Sequence, residues 1–278
     1  MLRSDSGDLQ RPSGLIRRYP AAAFFVITFA VSWAAAIAVA LPWLRRGQPL
    51  PDLAGILMFP AMLVGPSVTG ILMTGAVSGK AGLRALRERL GSWRLGRWCA
   101  ALLIPPVLIF AILSCLRQLV SPVFAPNLFL AGALFGIPAG YLEEIGWTGF
   151  VFGKLTERRS AFGAAAVLGV TWAAWHLPVV DFLGAAHPHG SYWLPFALAF
   201  AAAMVAMRVL ISWVYVNTDS VLAAQLLHAA STGALVVFSP KVGPVQEAAW
   251  YGLYALALWL IVAAVVRSYG FALKRAAR

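Results

Sequence analysis

Eight unbroken apolar runs, at roughly 21–44, 53–76, 98–120, 127–152, 161–183, 191–216, 219–239 and 247–268, set the terms on which this chain can fold. Each is close to the roughly 20 residues that an α-helix needs to cross a bilayer's hydrocarbon core. In lipid only helices and closed barrels satisfy their own backbone, and the runs are continuous rather than alternating, so they are read as helices. Hydrophobic residues make up 61% of the chain and charged residues 12%, at a mean hydropathy of +0.80, which excludes an ordinary soluble domain. The expected fold is all-α: one polytopic membrane domain over 21–268 with eight spans, between polar basic tails at 1–20 and 269–278.

The basic residues orient that domain. Most of the 22 Lys and Arg fall in the N-terminal tail, the 77–97 loop, the 153–160 loop and the C-terminal tail, whereas the opposite loops hold Arg45, Arg46, Arg117 and Lys241. The positive-inside rule then puts both termini in the cytoplasm, the setting expected being a bacterial plasma membrane. Residues 1–20 lack a short apolar core followed by a small-residue cleavage site, so no cleaved signal peptide is expected. Within 80–97, Leu83, Leu86, Leu90 and Trp93 recur at spacings of three and four among Arg84, Arg87, Arg89 and Arg94, which predicts an amphipathic helix on the cytoplasmic leaflet. A net charge of +12 in so apolar a chain reads as topology signal and head-group contact, not as nucleic-acid binding. Cys99 and Cys115 share one run, so neither a disulfide framework nor a cysteine metal site is expected.

Against this background the stretch Tyr-Leu-Glu-Glu-Ile-Gly-Trp-Thr-Gly-Phe-Val-Phe at 141–152 stands out, because it places Glu143 and Glu144 inside a span. A carboxylate at mid-bilayer costs about 2.5–3.5 kcal/mol on insertion scales, so the pair marks a functional centre, the plainer alternative being a polar contact between helices. Glu144 and Thr148 are four apart and share a helix face, while Glu143 is turned about 100° away. Two adjacent carboxyls in an apolar site offer an acid and a base at one locus. Gly140, Gly146 and Gly149 on the same helix allow another helix or a substrate backbone to approach closely.

Two further runs carry polar groups. Trp172 and His176 form an i, i+4 pair ahead of Pro178, and His228 and Thr232 form another. A membrane histidine also serves as an ordinary interhelical hydrogen bond, but the glutamates favour a shared site for His176. Counting along the spans sets His176 about two turns farther from the cytoplasm than the other groups. Arg208 lies about 12 Å from the cytoplasmic end of its span, near enough to snorkel, which is the expectation here; pairing with Glu144 is the alternative. His187 and His189 read as loop residues, and Trp43, Trp193 and Trp250 as interfacial belt residues.

These motifs together resemble the CAAX-protease and bacteriocin-processing family of intramembrane glutamate endopeptidases, also called type II CAAX prenyl endopeptidases. The likeness runs from the Gly65-Pro66 pair to about residue 232, with a protease-like core at about 98–239. Glu143 and Glu144 match the family's Glu-Glu-x-x-x-Arg motif, with Thr148 in place of the arginine. Trp172 and His176 match aromatic-x-x-x-His, and His228 matches His-x-x-x-Asn, with Thr232 in place of the asparagine. The resemblance implies that Glu143 with His176 activates water and that His228 with residue 232 stabilises the tetrahedral oxyanion, without a cofactor, on a membrane-associated or prenyl-peptide-like substrate. Without the arginine, Glu144 is expected to lose the cation that keeps it charged and oriented. A catalytically silent scaffold is one alternative. Another is a zinc protease liganded by Glu143, His176 and His228, and a transporter is a third.

Overall fold

The computed structural model describes residues 14–182 and 189–274, without the side chains of Asp52, Asp181 and Phe182. A short turn at Gly14–Arg18 leads into eight principal helices. They are α1 (Pro20–Leu44), α2 (Asp52–Leu90), α3 (Ile104–Leu119), α4 (Ala133–Gly146), α5 (Ala161–Trp175), α6 (Trp193–Thr218), α7 (Val221–Phe238) and α8 (Pro244–Tyr269). No strand occurs among the described residues. Six segments, containing α1, α2, α3, α6, α7 and α8, are long and apolar enough to cross a membrane. Their outer faces carry large exposed apolar side chains such as Val26, Leu72, Leu198 and Leu260. In a bilayer those side chains meet lipid tails, so their exposure to water is not a cost.

The fourth and fifth runs differ from that expectation. α4 has 14 residues and continues through a π-helical turn, Trp147–Phe152, into Gly153–Thr156. The fifth run is broken: α5 ends at Trp175, and the amides of Val179 and Val180 both turn back to the carbonyl of His176. Pro178 accounts for the break, because it lacks an amide hydrogen and disfavours helical geometry in the residue before it. Trp33 of α1 secures the end by donating its indole N–H to the Trp175 carbonyl at 3.1 Å.

These two short elements carry the buried Glu143, Glu144 and Trp172. α4 packs on α2 and α7, α5 on α6, and α6 on α8. The close approach expected of Gly140 and Gly146 is met on both sides of α4. A Cβ at Gly140 would stand 2.6 Å from the Ala229 amide nitrogen of α7, and one at Gly146 would stand 2.8 Å from the Phe24 ring of α1. A side chain at either place would force the helices apart, and with them the groups they position.

The 80–97 helix takes another form. It continues α2 beyond a break at Gly79, whose φ of 63° and ψ of −159° are not helical, and it ends at Leu90. One face of it docks on the bundle. Leu86 is buried, while Arg89 donates to the Tyr215 hydroxyl at 2.5 Å and to the Gly149 carbonyl at 3.2 Å. Trp250 is also not an interfacial belt residue, being buried against Tyr251 at a ring separation of 4.2 Å.

Candidate active site

Four helices each deliver polar side chains to one buried cluster: Glu143 and Glu144 from α4, Trp172 from α5, Arg208 from α6 and His228 from α7. Both carboxylates are shut off from the surface, Glu143 at 2% exposure and Glu144 at 0%. Adjacent residues on a helix point about 100° apart, so the two enter different surroundings.

Glu144 is fully engaged. Its Oε2 accepts from Arg208 Nη1 at 2.8 Å and from the Thr148 hydroxyl, and its Oε1 meets His228 Nδ1 at 2.7 Å. The guanidinium also lies over the Trp172 ring, 4.5 Å from its centroid, a cation–π contact in a desolvated place. Arg208 therefore does not snorkel, having 0% exposure. A buried cation without a partner costs far more than one bound to a carboxylate, and α6 turns this side chain to within hydrogen-bond reach of Glu144. The cation that position 148 lacks thus arrives from another helix, and Thr148 adds a neutral donor to the same carboxylate. Arg208 Nε and Nη2 find no acceptor among the described residues.

Glu143 is engaged on one oxygen. Its Oε2 accepts from Trp172 Nε1 at 2.7 Å and Trp147 Nε1 at 3.1 Å, while its Oε1 has no donor among the described residues. Trp147 was missed in reading the sequence, although its i, i+4 spacing from Glu143 on one helix face was the signal that could have found it. Trp172 brackets the site. Its ring meets those of His176 and His228 edge-on, at 5.2 and 5.0 Å. Despite the depth mismatch expected for it, His176, the residue that caps α5, meets the cluster through this ring.

The histidine tautomers follow from their partners. His176 Nδ1 lies 2.8 Å from the Trp172 carbonyl, which can only accept, so this nitrogen carries the hydrogen and Nε2 offers a lone pair. His228 directs Nδ1 at a carboxylate, which leaves its Nε2 facing away from Glu144. Thr232, half-buried, lies one turn along α7 from His228. His189 is remote from this cluster, stacked on Phe196 at 3.7 Å and bonded to Glu247 at 3.1 Å, and His187 lies outside the described residues.

The described residues contain no group of three or more His, Cys, Asp or Glu side chains placed to hold a metal ion. Glu143, His176 and His228 do not form such a set, so the zinc alternative has no ligand set in this arrangement.

Residues 125–234, which contain every member of the cluster, match the model of the Rce1-like family, described as type II CAAX prenyl endopeptidase Rce1-like. Over this stretch the chain is similar to that family. A curated relative, CAAX prenyl protease 2 of Methanococcus maripaludis, is 31% identical over 110 residues. The aligned stretch covers 38% of this chain and 38% of that relative's length. The matched stretch runs from ahead of α4 to near the end of α7, so α1, α2, α3 and α8 lie outside it.

Proposed function

We propose that the protein is an integral-membrane endopeptidase that cleaves a membrane-associated protein or peptide with a glutamate-activated water. The observation that carries the reading is the half-engaged Glu143: two indole N–H groups hold one oxygen and leave the other without a donor among the described residues, in the cluster that includes His176. A water between Glu143 Oε1 and His176 Nε2 would meet two acceptors, which suits a nucleophile that must lose a proton. In the reaction water oxygen attacks the scissile carbonyl carbon, Glu143 takes a water proton and the carbonyl oxygen becomes an oxyanion. The C–N bond then breaks as the proton passes to the departing amine.

The oxyanion falls to His228 and Thr232. His228 can donate from Nε2 only when both nitrogens carry hydrogen, since Nδ1 is already directed at the Glu144 carboxylate. Thr232 supplies one hydroxyl donor. Glu144 does not act as a base in this scheme, since Arg208, Thr148 and His228 already use both its oxygens. It holds His228, and Arg208 takes the place of the arginine absent at 148.

The test uses purified protein and a membrane-tethered peptide, prenylated in one arm and acylated in the other. Glu143→Gln, His176→Ala and the double variant are expected to lose activity to the same extent, because a base and its partner fail as a unit. Losses that simply multiply would reject the pairing. Metal analysis of the active sample tests the zinc alternative, with stoichiometric zinc lost in Glu143→Gln as the result in its favour. The scaffold reading has one observation on its side, the near-complete burial of both glutamates. It predicts no cleavage by wild type and undiminished partner binding by Glu143→Gln.

A further inference from the structure

Away from the cluster, three membrane-length segments end at one level: Gly96–Leu119 begins there, and Gly190–Thr218 and Pro244–Tyr269 finish there. Two adjoining clefts open between these ends and share Arg97 and Trp98. The outer cleft, of 560 Å³, is rimmed by Arg94, Arg97 and Lys274, with Asp219 as the acidic group among its lining residues. The inner one, of 290 Å³, is walled by Trp98, Ile104, Trp213 and Tyr269. Charge thus gives way to apolar and aromatic surface along one continuous path, at the ends of three membrane-length segments.

The path is built rather than incidental. Trp98 packs edge-on against Trp213 at 4.8 Å, and Trp213 against Tyr269 at 5.4 Å. Asn217 donates to the Leu273 carbonyl at 2.7 Å and so fixes the turn that carries Lys274. Gly96, with a φ of +47°, starts the 3₁₀ segment that sets Arg97 beside Trp98. The Trp213 indole N–H is buried and has no acceptor among the described residues, so the ring meets the inner cleft with its apolar surface.

The geometry points to a binding site for an anionic phospholipid, with its phosphate at Arg94, Arg97 and Lys274 and one acyl chain between Trp98, Trp213 and Tyr269. Three cations face one carboxylate, so the rim favours a net negative head group over a zwitterionic one. This site does not depend on the proposed peptidase activity and is tested without it.

Native mass spectrometry of the purified full chain would compare retention of phosphatidylglycerol and phosphatidylcholine. Wild type is expected to prefer phosphatidylglycerol by about tenfold. The triple variant Arg94→Gln, Arg97→Gln, Lys274→Gln should retain both lipids alike. Lys274→Glu, at an exposed position where folding is not at stake, should cut phosphatidylglycerol retention by about fivefold. Equal retention of the two lipids by wild type would overturn the proposal, as would unchanged selectivity in both variants. Displacement of the lipid by millimolar inorganic phosphate would also overturn it, marking a free-phosphate site instead.

Discussion

Glu143 and Glu144 are neighbours in sequence, equally buried, and opposite in circumstance. On the α6 and α7 side, Glu144 meets a guanidinium, a hydroxyl and an imidazole, and both its oxygens are used. On the α5 side, Glu143 meets two indole N–H groups on one oxygen. Indoles donate without bringing positive charge, so they orient a carboxylate without neutralising it, whereas a guanidinium does both. The difference teaches that a buried pair of like residues need not share a role. One is spent on structure and on holding a histidine; the other keeps an oxygen available.

Substitutions can break this contrast, and the largest effect is expected at the available oxygen. Glu143→Gln preserves an acceptor for both indoles but removes the base, so cleavage should fall by about 10²–10⁴ with an unchanged melting temperature. A matching loss of thermal stability would show that Glu143 is structural after all. Next comes Arg208→Gln, which leaves Glu144 buried beside a weaker partner. Breaking a buried pair costs about 3–5 kcal/mol, seen as a lower unfolding midpoint in detergent. Adding Thr148→Arg to that variant should recover much of the loss, because the guanidinium then returns from one turn along α4. No recovery in the double variant would mean that α6 supplies packing rather than charge.

Smaller effects sharpen the contrast. Thr148→Val removes one of three donors from Glu144 and should cost about 1–3 kcal/mol of stability. Cleavage should follow only as far as His228 is displaced, so a large kcat loss at unchanged stability would give Thr148 a direct part in the reaction. Thr232→Asn replaces one hydroxyl donor with an amide offering two, and should raise kcat by about tenfold with little change in KM. A change in KM alone would move residue 232 from the oxyanion to substrate binding.

Much of this was legible in the residues themselves. Bilayer-length apolar runs fix helices, because lipid leaves the backbone no other partner, and a pair of glutamates in such a run marks the buried polar cluster through its cost. The glycines at 140 and 146 announced close helix contacts for a reason as local as the missing Cβ. Other features depend on distances between helices, which sequence spacing does not encode. Whether Arg208 snorkels or pairs turns on how deep α6 sits and which way it is rotated against α4, and only packing sets that. That the fifth run stops at His176 and brings it against Trp172 depends on how its helix packs, which counting residues along a span does not give. The docking of Arg89 on Tyr215 and Gly149 joins residues far apart in the chain, so a basic amphipathic pattern read alone pointed to lipid. Local chemistry determined which residues are costly to bury, and the tertiary structure decided their partners, because a buried charge is held by whatever group the neighbouring helix brings within hydrogen-bond reach.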